Sequence, residues 1–143
     1  MVGLVSRSVK VTVVAVGRLR DPYVDDMAHY AKLLSRYVRL EVVELREDDQ
    51  VERRIPDRAF VSLLDAGGTT YDSEGFSGFI EERRMSGRDL CFVIGGAFGL
   101  DIPGADQRLS LGRMTLPHQL ARVVLTEQLY RAHKIIAGEP YHH

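Results

Sequence analysis

The sequence predicts an α/β protein, a mostly parallel sheet with helices on both faces, in a single domain spanning residues 1–143. Three observations carry this reading. Short β-branched runs alternate with longer segments whose apolar residues recur three or four apart. A length of 143 residues suits one hydrophobic core. A composition of 45% hydrophobic and 27% charged residues excludes a disordered tail, a collagen-like repeat and a disulfide-stapled miniprotein. No run approaches the roughly 18 apolar residues of a membrane helix, and the opening MVGLVSRS lacks a signal-peptide core, so the chain is expected in the cytoplasm.

The first strand is the β-branched run VKVTVVAV, residues 9–16, ended by Gly17. Asp21 can cap free amides and Pro22 fits a first helical position, so a helix opens there, with Val24, Met27, Tyr30, Ala31, Leu34 and Tyr37 on one face. The second strand is LEVVELR, from Leu40 to Arg46. The charged stretch REDDQVERRIPDR after it has room for a short helix before Pro56, with a solvated connector as the preferred reading. A third strand, Ala59 to Ala66, ends in Gly67 and Gly68. Asp72 or Ser73 then begins a helix carrying Phe76, Phe79, Ile80 and Met85. The fourth strand, Asp89 to Ile94, runs into Gly95, Gly96 and Gly99. LSLGRMTL, residues 109–116, reads as a short extended piece, and a long helix follows from about Pro117 to Ala137.

The charges nearly balance, 19 basic against 20 acidic, which argues against a surface that coats nucleic acid and leaves room for self-association. Only Lys10, Lys32 and Lys134 are lysine; the other cations are arginine, a skew that suits phosphate contacts and is also what a GC-rich genome produces. Cys91 stands alone inside LCFVI and is expected to be a buried, inert thiol. The five histidines and Cys91 form no metal-ligand spacing, so no metal is expected, and His118 at a helix start is read as structural.

In an open parallel sheet ligands bind beyond the carboxyl ends of the strands, and two such ends carry glycine: Leu64-Asp65-Ala66-Gly67-Gly68 and Ile94-Gly95-Gly96-Ala97-Phe98-Gly99. Each cluster could equally be a tight turn. Neither GxGxxG nor GxxxxGK[ST] is present, which removes support for NAD and ATP. The loop bracketed by Gly112 and Pro117 feeds a helix N-terminus, where free amides can meet polar ligand atoms. On the helix, Leu120, Ala121, Val123 and Val124 form an apolar stripe. Arg122, Glu127, Arg131 and Lys134 interrupt it and read as a solvated face.

VVAVGRLRDPY, LLDAGG, FVIGGAFGL and above all SLGRMTLPHQLARVVLTEQLYRAHKIIAGEPYH strongly resemble the small SPOUT-class methyltransferases that modify pseudouridine at N3 in large-subunit ribosomal RNA. The likeness spans nearly the whole chain. It implies a trefoil knot near the carboxy terminus, a homodimer, and S-adenosylmethionine bound in a bent shape. Carried over residue by residue, it implies a cofactor pocket at Leu64, Gly95, Leu111, Gly112, Arg113, Met114, Thr115 and Leu116, and places Arg131, Tyr141 and His142 near the target nucleotide. Two connectors, after the second strand and between Gly99 and Leu111, are shorter than that family leads one to expect. His143 stands where a basic residue is usual.

The imide proton at N3 must leave before or during methyl transfer. His142 is the expected base, with arginine stabilisation of the imide anion as the alternative. Partners implied are the assembled ribosome and its large-subunit RNA. A knotted methyltransferase acting on another RNA, or a non-catalytic ribosome-binding module, are the competing readings.

Overall fold

A computed structural model describes residues 9–96 and 99–141 of the chain. Five strands, β1 (Lys10–Val16), β2 (Arg39–Leu45), β3 (Phe60–Thr70), β4 (Leu90–Ile94) and β5 (Gln107–Ser110), form one sheet in the order β2-β1-β4-β3-β5. Every pairing is parallel. Four helices join them: α1 (Tyr23–Leu34), α2 (Val51–Arg54), α3 (Ser73–Met85) and α4 (His118–Ile136). The expected α/β class is therefore present.

Alternation along β1 sorts the core into two layers. Val11, Val13 and Ala15 face Leu34 of α1, Phe76, Phe79 and Ile80 of α3, and Leu125, Leu129 and Ala132 of α4. Val14 and Val16 face the other way, toward Val51 of α2, Ile102 and the Leu100 to Ala105 segment. The helical cover is thus lopsided: three long helices lie on one face, and one short helix and a crossover segment lie on the other. Cys91 is wholly buried in this second layer, and desolvation pushes its thiol up to about 12, as expected of an inert thiol.

Several local expectations change. Asp21 does not cap α1; the helix begins at Tyr23 with Pro22 at the N-cap and no side-chain cap. Asp72 does cap α3, its carboxylate accepting from the Gly75 amide at 2.7 Å. The charged stretch after β2 is more than a connector. It holds a 3-10 turn, Asp48–Gln50, and then α2, because Val51 and half-buried Ile55 are needed to cover the second face.

β3 does not end at Ala66. It bulges between Leu64 and Thr69 and rejoins β5, so that both of those residues pair with Leu109. Glycine is required in that bulge, since a Cβ on Gly68 would lie 2.5 Å from the Arg108 carbonyl oxygen. The 109–116 piece is extended only at its start. β5 stops at Ser110, and the rest is a loop leading into α4.

Candidate active site

The carboxyl ends of β3, β4 and β5 surround a cleft of about 670 Å³. β3 contributes Leu64, Asp65 and Ala66; β4 leads into Ile94, Gly95 and Gly96; Gly99 and Leu100 return along the wall. Leu111, Gly112, Met114, Thr115 and Leu116 follow β5, and Pro117, His118 and Ala121 close the cleft at the start of α4. Seven of the eight residues expected at a cofactor thus meet on one cavity; Arg113 is exposed and does not line it. His118, read from sequence as structural, is on the wall.

The walls are held by backbone and by short polar links. Ser110 Oγ donates to the Ala66 carbonyl at 3.0 Å and accepts from the Gly112 amide at 3.1 Å, which fastens the loop to the bulge of β3. Gly112 has φ of 149°, a conformation that favours glycine. Gly95 is glycine for a related reason. A Cβ there would lie 2.8 Å from Leu100 Cβ and 3.0 Å from the Gly99 carbonyl carbon, so its missing side chain admits the returning chain as well as opening the cleft.

Asp65 is a carboxylate on the wall that the sequence reading did not single out. It accepts from the Gly67 amide at 2.9 Å and from Arg108 Nη1 at 3.1 Å, and these bonds hold its carboxyl below the usual range. Arg108 also pairs with Asp101 on the returning segment, so one guanidinium ties both sides of the cleft together.

Arg122 corrects the expectation of a solvated face. Only 1% exposed, it pairs with Glu44 at the end of β2 and donates from Nη2 to the Gly17 carbonyl at 3.0 Å. Burial alone would raise the Glu44 carboxyl. The Leu19 amide at 2.9 Å and the Arg122 guanidinium outweigh it and hold Glu44 below the usual range. Gln119 adds two bonds to the same loop, to the Arg18 carbonyl at 2.7 Å and from the Arg20 amide at 2.8 Å. The first turns of α4 are thereby stitched to the β1–α1 loop beside the cleft.

The tail forms a second cluster. Gly138, at φ 69°, ends α4; its amide donates to the Ile135 carbonyl and that of Glu139 to the Lys134 carbonyl, which turns the chain back. Tyr141 then lies against Tyr130 and under Arg131, whose guanidinium carbon is 4.0 Å from the ring centre. Glu127 joins them. It accepts from the Tyr141 hydroxyl and from Arg131 Nη2 at 3.1 Å, and its other oxygen accepts from Gln128 at 2.7 Å. Desolvation, then the Glu127 bond, pushes the Tyr141 phenol up to about 12, so it serves as a donor near neutral pH. His142 lies outside the described residues.

Neither Arg131 nor Tyr141 lines the cleft of its own chain. A smaller cavity of about 330 Å³, walled by Tyr71, Phe76, Val124 and Gln128, shares Leu109 and Leu111 with the cleft and reaches Glu127 through Gln128. Among the described residues no group of three metal-ligating side chains occurs, and no helix is long and apolar enough to cross a membrane.

A family model described as predicted SPOUT methyltransferase matches residues 9–142. The chain belongs to the SPOUT methyltransferase family. The all-parallel sheet, with its crossover from β4 past β3 to β5, is consistent with the knotted fold of SPOUT enzymes. This SPOUT methyltransferase is 41% identical to ribosomal RNA large subunit methyltransferase H of Carboxydothermus hydrogenoformans, over 93% of its own length and 99% of the relative's. It is 44% identical to the protein of the same name from Gluconacetobacter diazotrophicus, over 90% and 94%.

Proposed function

We propose that this enzyme methylates N3 of a pseudouridine in large-subunit ribosomal RNA, on assembled ribosomes, with S-adenosylmethionine as donor. The convergence of seven expected cofactor residues on one cleft carries the reading, and the relatives named as ribosomal RNA large subunit methyltransferases support its substrate class. The cleft suits that donor. Its volume lies within the roughly 300 to 1,000 Å³ of small-molecule sites. Leu64 and Leu116 offer apolar cover for an adenine, the backbone of residues 111–116 offers hydrogen-bonding groups for its edge, and the Asp65 carboxylate suits ribose hydroxyls. When bound, the donor supplies an electrophilic sulfonium methyl.

The remaining chemistry belongs to the chain. His142 takes the N3 proton, and Arg131 favours the developing imide anion. Tyr141, protonated and held by Glu127, positions the base by stacking and cannot itself accept that proton near neutrality. The intact cleft counts against a non-catalytic ribosome-binding module.

The active form is a homodimer. Along α4, Ala121 at the cleft and Arg131 at the tail are about 15 Å apart at 1.5 Å per residue, so one chain separates the groups the reaction needs together. A second copy can bring its tail to the first copy's cleft. The decisive experiment incubates the protein with labelled S-adenosylmethionine and ribosomes from cells lacking the modification, then maps the labelled nucleotide. Label at N3 of a large-subunit pseudouridine is expected; label elsewhere, or none, overturns the assignment.

A further inference from the structure

We propose that the outer face around the end of α1, through Lys32, Arg36 and Arg39, is a docking surface for the phosphate backbone of the RNA substrate. The inference rests on the proposed function for its partner, and on three observations for its place. The first is charge segregation. In a chain with 19 basic and 20 acidic residues, no Asp or Glu stands between Asp26 and Glu41, while that stretch carries all three cations and His29.

The second observation is that these charges are available. Lys32 lies in the last turn of α1, Arg36 one turn further on, and Arg39 opens the edge strand β2. All three are exposed, and among the described residues none has a carboxylate within ion-pair reach. Arg83, Arg84, Arg88, Arg108, Arg122 and Arg131 each meet a carboxylate, whereas Arg53 and Arg54 on α2, like this trio, do not among the described residues. Unneutralised cations four and three residues apart in sequence suit neighbouring phosphates, which Arg binds through a bidentate fork.

The third is position. Tyr37, inside the same stretch, donates to Glu139 Oε1 at 2.9 Å and packs its ring against Tyr130 and His133 of α4. The tail that ends in Tyr141 is therefore anchored on the segment that carries the basic face. An RNA whose target base reaches the tail has its flanking backbone beside Lys32 and Arg36.

The test measures binding of purified assembled ribosomes across a salt series, comparing wild type with the triple variant Lys32→Gln, Arg36→Gln, Arg39→Gln. Each lost phosphate contact should reduce the slope of log affinity against log salt by roughly 0.7 to 0.9, so the triple variant should lose about 2 to 3. S-adenosylmethionine affinity and sedimentation should not change. Arg36→Lys with Arg39→Lys should keep most of the slope, because charge is retained. Arg53→Gln with Arg54→Gln, on α2 across the sheet, should keep all of it.

An unchanged slope in the triple variant overturns the proposal and makes the face merely solvated. A change in sedimentation also overturns it, making the face a contact between copies. Binding does not require turnover: a reduced slope without methyl transfer in wild type would overturn the proposed reaction alone.

Discussion

The two ends of α4 serve chemistry by opposite means. At its start the cleft is built from backbone, glycines and apolar side chains, with charges such as Arg108 and Arg122 consumed in internal pairs. At its finish the tail cluster is built from side chains that carry charge or donate protons, gathered on the Glu127 carboxylate. The difference teaches what each region can tolerate. A shape made by main chain fails when atoms are added to it; an arrangement of charges fails when its groups are removed.

The sharpest way to break the comparison is to add atoms to the cleft frame. Gly68→Val places a side chain where the Arg108 carbonyl oxygen already stands, and should part β3 from β5. We expect a loss of about 3 kcal/mol in denaturant unfolding, with cofactor binding abolished in calorimetry. Gly95→Val should also abolish binding, but by displacing Leu100 as well as by occupying the cleft; unchanged affinity in either folded variant would contradict the assignment.

Removing groups from the other end should act on turnover. Deletion of residues 141–143 is expected to leave S-adenosylmethionine affinity nearly intact and to lower methyl transfer by about 100-fold or more, measured with labelled donor and ribosomes. Glu127→Gln should have a smaller effect in the same direction, since it loosens Tyr141 and Arg131 without removing them. Equal loss of cofactor binding in both would erase the distinction between the two ends.

Arg122→Met sharpens the comparison within the cleft frame. It removes a buried guanidinium but leaves Glu44, whose side chain is 39% exposed, able to reach water. The expected loss is about 2 kcal/mol in unfolding, below the value for breaking a fully buried pair, with weaker cofactor binding as the β1–α1 loop loosens.

The smallest effect concerns His133, buried between the two ends, where desolvation lowers its pKa against the partly offsetting bond from Nδ1 to the Leu129 carbonyl at 2.7 Å. A histidine with a lowered folded pKa gives stability that is full above its ordinary value of 6.5 and is lost as pH falls below it. Melting temperature should therefore fall between pH 7 and pH 5, and a folded His133→Gln variant should flatten that slope. The lowered carboxyls of Asp65 and Glu44 keep their contribution to stability through that range and lose it only at more acidic pH.

Legibility followed the range of the interaction. The stretches of β1, β2 and β4 were recognisable as short runs of strand length rich in apolar residues, those of β1 and β4 ended by glycine, and α1, α3 and α4 because their apolar residues repeat at helical spacing. β5 was only half legible: Gln107-Arg108-Leu109-Ser110 has no strand pattern of its own and is extended because β3 pairs with it. α2 was legible only as the second choice to a connector, because its four residues are too few to show a period. Among site residues, the loop 111–116 and Gly95 were legible through family likeness; Asp65 stood in a glycine-bearing strand end but was given no role of its own, and His118 was read as structural.

What the amino-acid order determined by itself is what neighbours along the chain decide: the principal helices and strands, the cap at Asp72, the turn at Gly138 and the alternation that makes a two-sided sheet. Tertiary structure alone decided that Arg122 is buried, since Glu44 stands 78 residues away, and that Gly68 has no room for a side chain, since the Arg108 carbonyl comes from another strand. It also decided that the cofactor loops share one cleft while the tail lies on the far half of α4. Those facts depend on distances between segments remote in sequence, which periodicity and propensity do not encode.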